Sequence, residues 1–121
     1  MSNIADITVS IKSHLPEAKE ELKQALEMWA EMTGGELVNL THRDKAEGGT
    51  PVDTGRLRNS MAYAIENDYK TVYVGTNVEY AESVEEGTRG KSGAHMLRNA
   101  VVDVSEFSEK ALKEALEAQN I

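Results

Sequence analysis

The chain has 121 residues, 40% of them hydrophobic, enough to bury one core and too few for two, so a single domain over residues 1–121 is expected. It contains no cysteine, which excludes a disulfide framework and any thiolate metal site. The formal net charge of -8 argues against a nucleic-acid coat or a sequence-specific nucleic-acid partner, because such binding neutralises phosphates with Lys and Arg.

The N-terminal residues show no basic stretch followed by an apolar one, and nothing approaches the roughly eighteen apolar residues that cross a bilayer. A protein made in the cytoplasm, with no membrane partner, is the expectation. Ile7-Thr8-Val9-Ser10-Ile11 alternates strictly and predicts a short strand. Pro16 suits the first turn of a helix, and Glu17, Glu20 and Glu21 complement the positive end of its dipole. From Leu15 through Ala18, Leu22, Ala25, Leu26, Trp29, Met32, Leu37 and Leu40, apolar residues recur at three and four, predicting a helix to Thr41 with one buried stripe. Gly34-Gly35 interrupts it at a cost of about 1 kcal/mol each relative to alanine, so the helix either runs through, bends or frays there. Unbroken from Pro16, it would be about 39 Å long and would reach the edges of a domain of this size, as helices that pack against neighbouring subunits do.

Arg43 to Gly55 carries Gly48-Gly49, Pro51 and Asp53-Thr54-Gly55 with almost no apolar residue, and reads as an exposed, mobile loop. A short helical turn over Gly55–Asn59 leads to Ser60–Glu66, where Met61, Tyr63 and Ile65 share a face. With β-branched and aromatic Thr71–Val74, and Asn67-Asp68 as turn residues, this predicts a β-hairpin. Val78, Ala81, Val84 and Tyr80 give Val78–Glu86 helical spacing, closed by Gly87 as a C-cap. Thr88 to Gly93 reads as a second flexible stretch. One last helix then carries Leu97, Ala100, Val101, Val104, Phe107, Ala111, Leu112 and Ala115. The order predicts an α+β fold: a small antiparallel sheet packed against a long N-terminal helix and a C-terminal helix, with a flexible loop around residues 43–55.

Candidates for chemistry are sparse. His14 and His42 fall at opposite ends of the long helix, and nothing near His95 in sequence supplies a partner for catalysis. Glu79, Glu82, Glu85 and Glu86 have helical spacing but no histidine three or four residues away, so they read as a solvated face. Gly87-Thr88-Arg89-Gly90-Lys91-Ser92-Gly93 has a Gly-Lys-Ser core without the spacing or preceding strand of a phosphate loop. The expectation is a protein with no catalytic residue, no metal and no cofactor, and not an enzyme.

Three segments carry a resemblance: Pro51-Val52-Asp53-Thr54-Gly55-Arg56-Leu57-Arg58-Asn59-Ser60; Val74 to Ala81 with Val84-Glu85-Glu86-Gly87-Thr88; and Met96-Leu97-Arg98-Asn99-Ala100. In order and spacing they resemble the HK97 gp10-like family of phage proteins, called tail-completion, neck or minor tail components, over residues 16 to about 104. Read physically, Asp53 can cap the turn that follows, Gly55 permits a left-handed backbone, Leu57 anchors the turn on the core, and Arg56 and Arg58 point outward. Pro51, Asp53, Thr54, Gly55, Leu57, Tyr80, Gly87 and Thr88 are the fold-defining candidates; Arg56, Arg58, Arg89 and Arg98 are candidate contacts to a partner or neighbouring subunit. The chain departs from the family pattern at Glu86, where an aromatic is usual, and at His95 to Ala100, where Pro-Phe-Leu-Arg-Pro-Ala is usual. The resemblance implies a virion protein of the neck or tail, made in the host bacterium. It further implies a ring, commonly of six copies, between the tail-tube protein and the head connector. A minor capsid or tail component elsewhere in the virion, or a small phage-encoded enzyme, are the alternatives.

Overall fold

The computed structural model describes residues 7–12, 20–52, 55–88 and 90–120. Strand β1 (Ile7–Lys12) is followed by helix α1 (Glu20–Thr41), a 3-10 turn (Lys45–Glu47) and the one-turn helix α2 (Arg56–Asn59). Strands β2 (Ala62–Glu66) and β3 (Thr71–Thr76), helix α3 (Ala81–Glu86), the short strands β4 (Gly87–Thr88) and β5 (Lys91–Ser92), and helices α4 (Met96–Asp103) and α5 (Ser105–Ala118) complete the chain. The fold is α+β, with a long N-terminal helix, small antiparallel sheets and C-terminal helices.

The three-stranded sheet has the order β1-β3-β2, so the hairpin strand β3 sits centrally and β1 closes its far side, antiparallel, with Val9 opposite Val74. The hairpin turn is tight. Asn67, Asp68 and Tyr69 all take left-handed backbone angles, which Asn and Asp tolerate and which Tyr adopts only when its surroundings hold it. Along β3, Val72, Val74 and Thr76 point into the core while Tyr73 and Gly75 look outward, the alternation a one-sided sheet demands. Among the described residues, helix α1 packs on β2 and β3, and α4 contacts β1.

Helix α1 runs unbroken through Gly34-Gly35. Its buried stripe is Ala25, Leu26, Trp29, Ala30, Thr33, Gly34, Leu37 and Thr41. The small residues Ala30, Thr33 and Gly34 lie at its centre, where the sheet and α5 approach closely, whereas Leu22, Met32 and Leu40 sit half-buried at its flanks. Leu15, Pro16 and Ala18, assigned to this helix from sequence, lie outside the described residues.

Three expectations are corrected. The single last helix is two, α4 and α5, separated at Val104; there the Ser105 hydroxyl donates to the Val102 carbonyl at 3.1 Å, a side-chain bond of the kind that competes with the helical ladder. The stretch after Gly87 is a two-stranded hairpin, with Gly87 opposite Ser92 and Thr88 opposite Lys91. Within residues 43–52, Asp44 to Glu47 are exposed as expected, but Gly49 and Thr50 are buried. The Thr50 N–H donates to the Thr41 carbonyl at 3.0 Å, and Asn99 of α4 donates to the Gly48 carbonyl at 3.2 Å. This excursion is thus stitched to the end of α1 and to α4.

Candidate functional site

Helix α2 begins at Gly55, whose left-handed backbone (φ 84°) a residue with a Cβ adopts only with strain, and this turns the chain so that Leu57 enters the core. At its end the Ser60 hydroxyl donates to the Leu57 carbonyl at 2.6 Å and makes a short hydroxyl–hydroxyl bond to Thr76. Thr76 also accepts the Val78 N–H at 3.1 Å. These bonds tie the one-turn helix to the segment leaving β3, and set Arg56 against Glu79 and Tyr80. Arg56 donates from both terminal nitrogens to the two Glu79 carboxylate oxygens at 2.9 and 2.8 Å, and its guanidinium lies 5.5 Å from the Tyr80 ring centroid. The hydrogen bond from Arg56 lowers the Glu79 carboxyl below the usual glutamate range, and the Glu79 carboxylate raises the Arg56 guanidinium in turn. Both side chains are exposed, so the pair is an oriented surface fork more than a source of stability. Arg56 does point outward, as expected, but in a fixed direction.

The second arrangement lies where α3, the β4–β5 hairpin and α4 meet. The Ala94 N–H donates to the Val84 carbonyl at 2.8 Å and the His95 N–H to the Glu85 carbonyl at 3.0 Å, folding residues 94 and 95 back along α3. His95 then takes a left-handed backbone (φ 53°) at the start of α4. Glu85, expected on a solvated face, is only 3% exposed. Its two carboxylate oxygens accept the Leu97 N–H at 2.9 Å and the Arg98 N–H at 3.1 Å. The N-cap residue His95 supplies no side-chain cap, so a carboxylate twelve residues before Leu97 answers these donors and complements the helix dipole. Sequence spacing cannot reveal this, because Glu85 and Leu97 meet only through the hairpin between them.

The remaining candidates are spread over the surface. Arg58 is half-buried on α2 and Arg98 exposed on α4; Pro51 is half-buried beside the 3-10 turn, and Thr88 is exposed in β4. Gly87 is needed for close approach: a Cβ there would lie 2.6 Å from the Gly93 nitrogen and from the Lys91 carbonyl oxygen. Asp53, Thr54 and Arg89 lie outside the described residues. The outer face of the three-stranded sheet carries Thr8, Ser10, Ala62, Ala64, Tyr73 and Gly75, with no described helix over it, and holds a shallow groove of about 350 Å³. β2, at the sheet edge, has four of its five residues exposed. On the other side of the molecule, the packed helices α1 and α5 expose Glu20, Glu21, Glu27, Glu31, Glu106, Glu109, Glu114 and Glu117 against Lys23, Lys110 and Lys113. Among the described residues no helix is long and apolar enough to cross a membrane.

Residues 5–87 match a family model whose description reads "Bacteriophage HK97-gp10, putative tail-component". No curated protein and no solved structure matches the chain.

Proposed function

The chain belongs to the HK97-gp10-like family and is a bacteriophage tail-component protein of the virion; from that premise we propose that it completes the tail and joins it to the head connector as an oligomeric ring, acting by assembly and not by catalysis. The family match over residues 5–87 is the observation that carries the proposal.

Physical features of the chain support the reading. A ring of identical copies needs two different, complementary surfaces on each copy. The sheet face with no described helix over it, together with the exposed edge strand β2, offers one surface of mainly small side chains around a shallow groove, and the glutamate-rich α1–α5 layer offers another of opposite character to the arginines of α2 and α4. Arg56, held by Glu79 and Tyr80, has little rotamer freedom left to lose on docking, and a partner carboxylate would have to compete with Glu79 for it. Arg58, Arg89 and Arg98 are proposed to share in these contacts, with the tail-tube protein on one side of the ring and the connector on the other. Complementary charge at such contacts fixes register and partner more than it adds affinity.

Electron microscopy of particles assembled without this protein tests the role. Full heads beside finished but separate tails are expected. Defective capsids, or tails of aberrant length with heads attached, would move it to another position in the virion. A charge reversal, Arg56→Glu with Arg58→Glu, is expected to block joining, whereas His95→Ala leaves it intact; the opposite outcome would overturn the assembly reading in favour of chemistry at His95.

A further inference from the structure

We propose that Glu85, Glu86 and His95 form a binding site for one divalent cation of the zinc class. The fold brings these residues together although nine positions separate Glu86 from His95 in the chain. One ligand atom from each side chain lies within 4.8 Å of the other two. Two ligand atoms on one tetrahedral zinc, with bonds of about 2.1 Å, lie about 3.4 Å apart, so the three side chains must draw together to hold it, and the exposed Glu86 side chain can rotate toward the other two.

Three independent features make this more than a group of surface carboxylates. First, the Glu85 carboxylate is buried, and the ion pairs formed among the described residues, Arg43 with Asp103, Arg56 with Glu79 and Lys110 with Glu106, do not reach it. The two α4 N–H groups answer part of this charge, and the second carboxylate close by adds negative charge that a cation would offset. Second, the His95 Nδ1 is buried and has no hydrogen-bond partner, a position that costs free energy unless an ion or water answers it. Third, two of the three ligands are held in place beforehand. Glu85 is oriented by the Leu97 and Arg98 N–H groups, and His95 is fixed in a strained backbone by its N–H on the Glu85 carbonyl and by the Asn99 N–H, which donates to the His95 carbonyl at 2.8 Å. Backbone donors behind a ligating carboxylate are the outer support that such ligands have in metal sites. One imidazole and two carboxylates form a mixed nitrogen and oxygen set that suits zinc, with water completing the coordination, whereas magnesium and calcium prefer oxygen alone. A cation there would fasten the β4–β5 hairpin to the start of α4, a role separate from ring assembly.

Isothermal titration calorimetry and thermal melting of the full chain, stripped with chelator and titrated with zinc chloride, test the site. One saturable site per chain is expected, with a higher melting temperature when zinc is bound. Glu86→Gln and His95→Ala are each expected to weaken binding at least tenfold, with zinc-free melting curves close to that of the parent chain. His42→Ala, at the far end of α1, is the control for adventitious histidine binding and is expected to change nothing. The proposal fails if the parent chain takes up no zinc at millimolar concentration. It fails equally if His95→Ala binds as tightly as the parent, or if binding is lost in His42→Ala instead.

Discussion

Adjacent in α1, Gly34 and Gly35 have opposite surroundings. A Cβ built on Gly34 would lie 2.2 Å from Cδ2 of the Tyr63 ring, which packs flat across the helix and donates its hydroxyl to Glu31 at 2.6 Å; a Cβ on Gly35 would meet nothing within 4 Å. Gly34→Ala therefore forces the ring and β2 away and is expected to destabilise by about 1–3 kcal/mol. Gly35→Ala restores helix propensity and is expected to stabilise by about 0.5–1 kcal/mol. Urea denaturation of the two variants separates them by sign. At the Arg56–Glu79 fork the direction of the pKa shift sets the pH window. The Glu79 carboxyl is lowered in the folded chain, so its contribution is present above the ordinary glutamate pKa and is lost as pH falls through the lower folded value. An NMR titration of Glu79 is expected to show a midpoint below the usual glutamate range, and Arg56→Ala to return it there. An unchanged midpoint in the variant would mean that the fork does not persist in solution.

Elements are joined by a few long-range bonds whose loss is measurable. The Trp29 indole N–H donates to the buried Ser108 hydroxyl at 2.9 Å, the polar link within the α1–α5 contact. Ser108→Ala leaves that N–H buried without an acceptor and is expected to cost about 1–3 kcal/mol by denaturant unfolding. Glu85→Ala removes the acceptor of two α4 N–H groups and is expected to cost a similar amount. Amide exchange at Leu97 and Arg98 should accelerate in that variant more than at Val72 in the sheet centre; uniform acceleration would show that Glu85 acts on global stability alone. Helical spacing was the right reading of α1, and it missed the break at Val104, where one apolar stripe is carried by two helices. Periodicity registers which face is buried and carries no signal of a bend that leaves the face intact.

Across the whole molecule, charge and shape are unevenly distributed. The described part of α1, at about 1.5 Å per residue, is about 33 Å long, comparable to the full width of a chain of this size, so one edge of the molecule is a helix with an acidic outer face. If copies associate through that face and the arginines of α2 and α4, sedimentation should show oligomers dissociating as salt rises from about 0.1 M to about 1 M, over which the screening length falls from ~10 Å to ~3 Å. Association that strengthens with salt would instead assign the contact to the small, weakly charged residues of the open sheet face.

The sequence by itself determined the fold class, a long helix ending at Thr41, the hairpin, the family, and the buried anchors Leu57, Trp29 and Leu97, because these depend on periodicity and on local backbone demands; that the helix runs unbroken through Gly34-Gly35 was decided by the packing of Tyr63 against Gly34. Only the tertiary structure decided the surroundings of Glu85, His95, Arg56 and Thr50. Each owes its environment to residues brought near by chain reversals: the β4–β5 hairpin folds His95 against Glu85 and Glu86, and the Ser60–Thr76 bond holds Arg56 over Glu79 and Tyr80. Spacing along a chain records which residues share a face of one element. It does not record which faces of different elements meet, and at this protein's surface those meetings orient the charges.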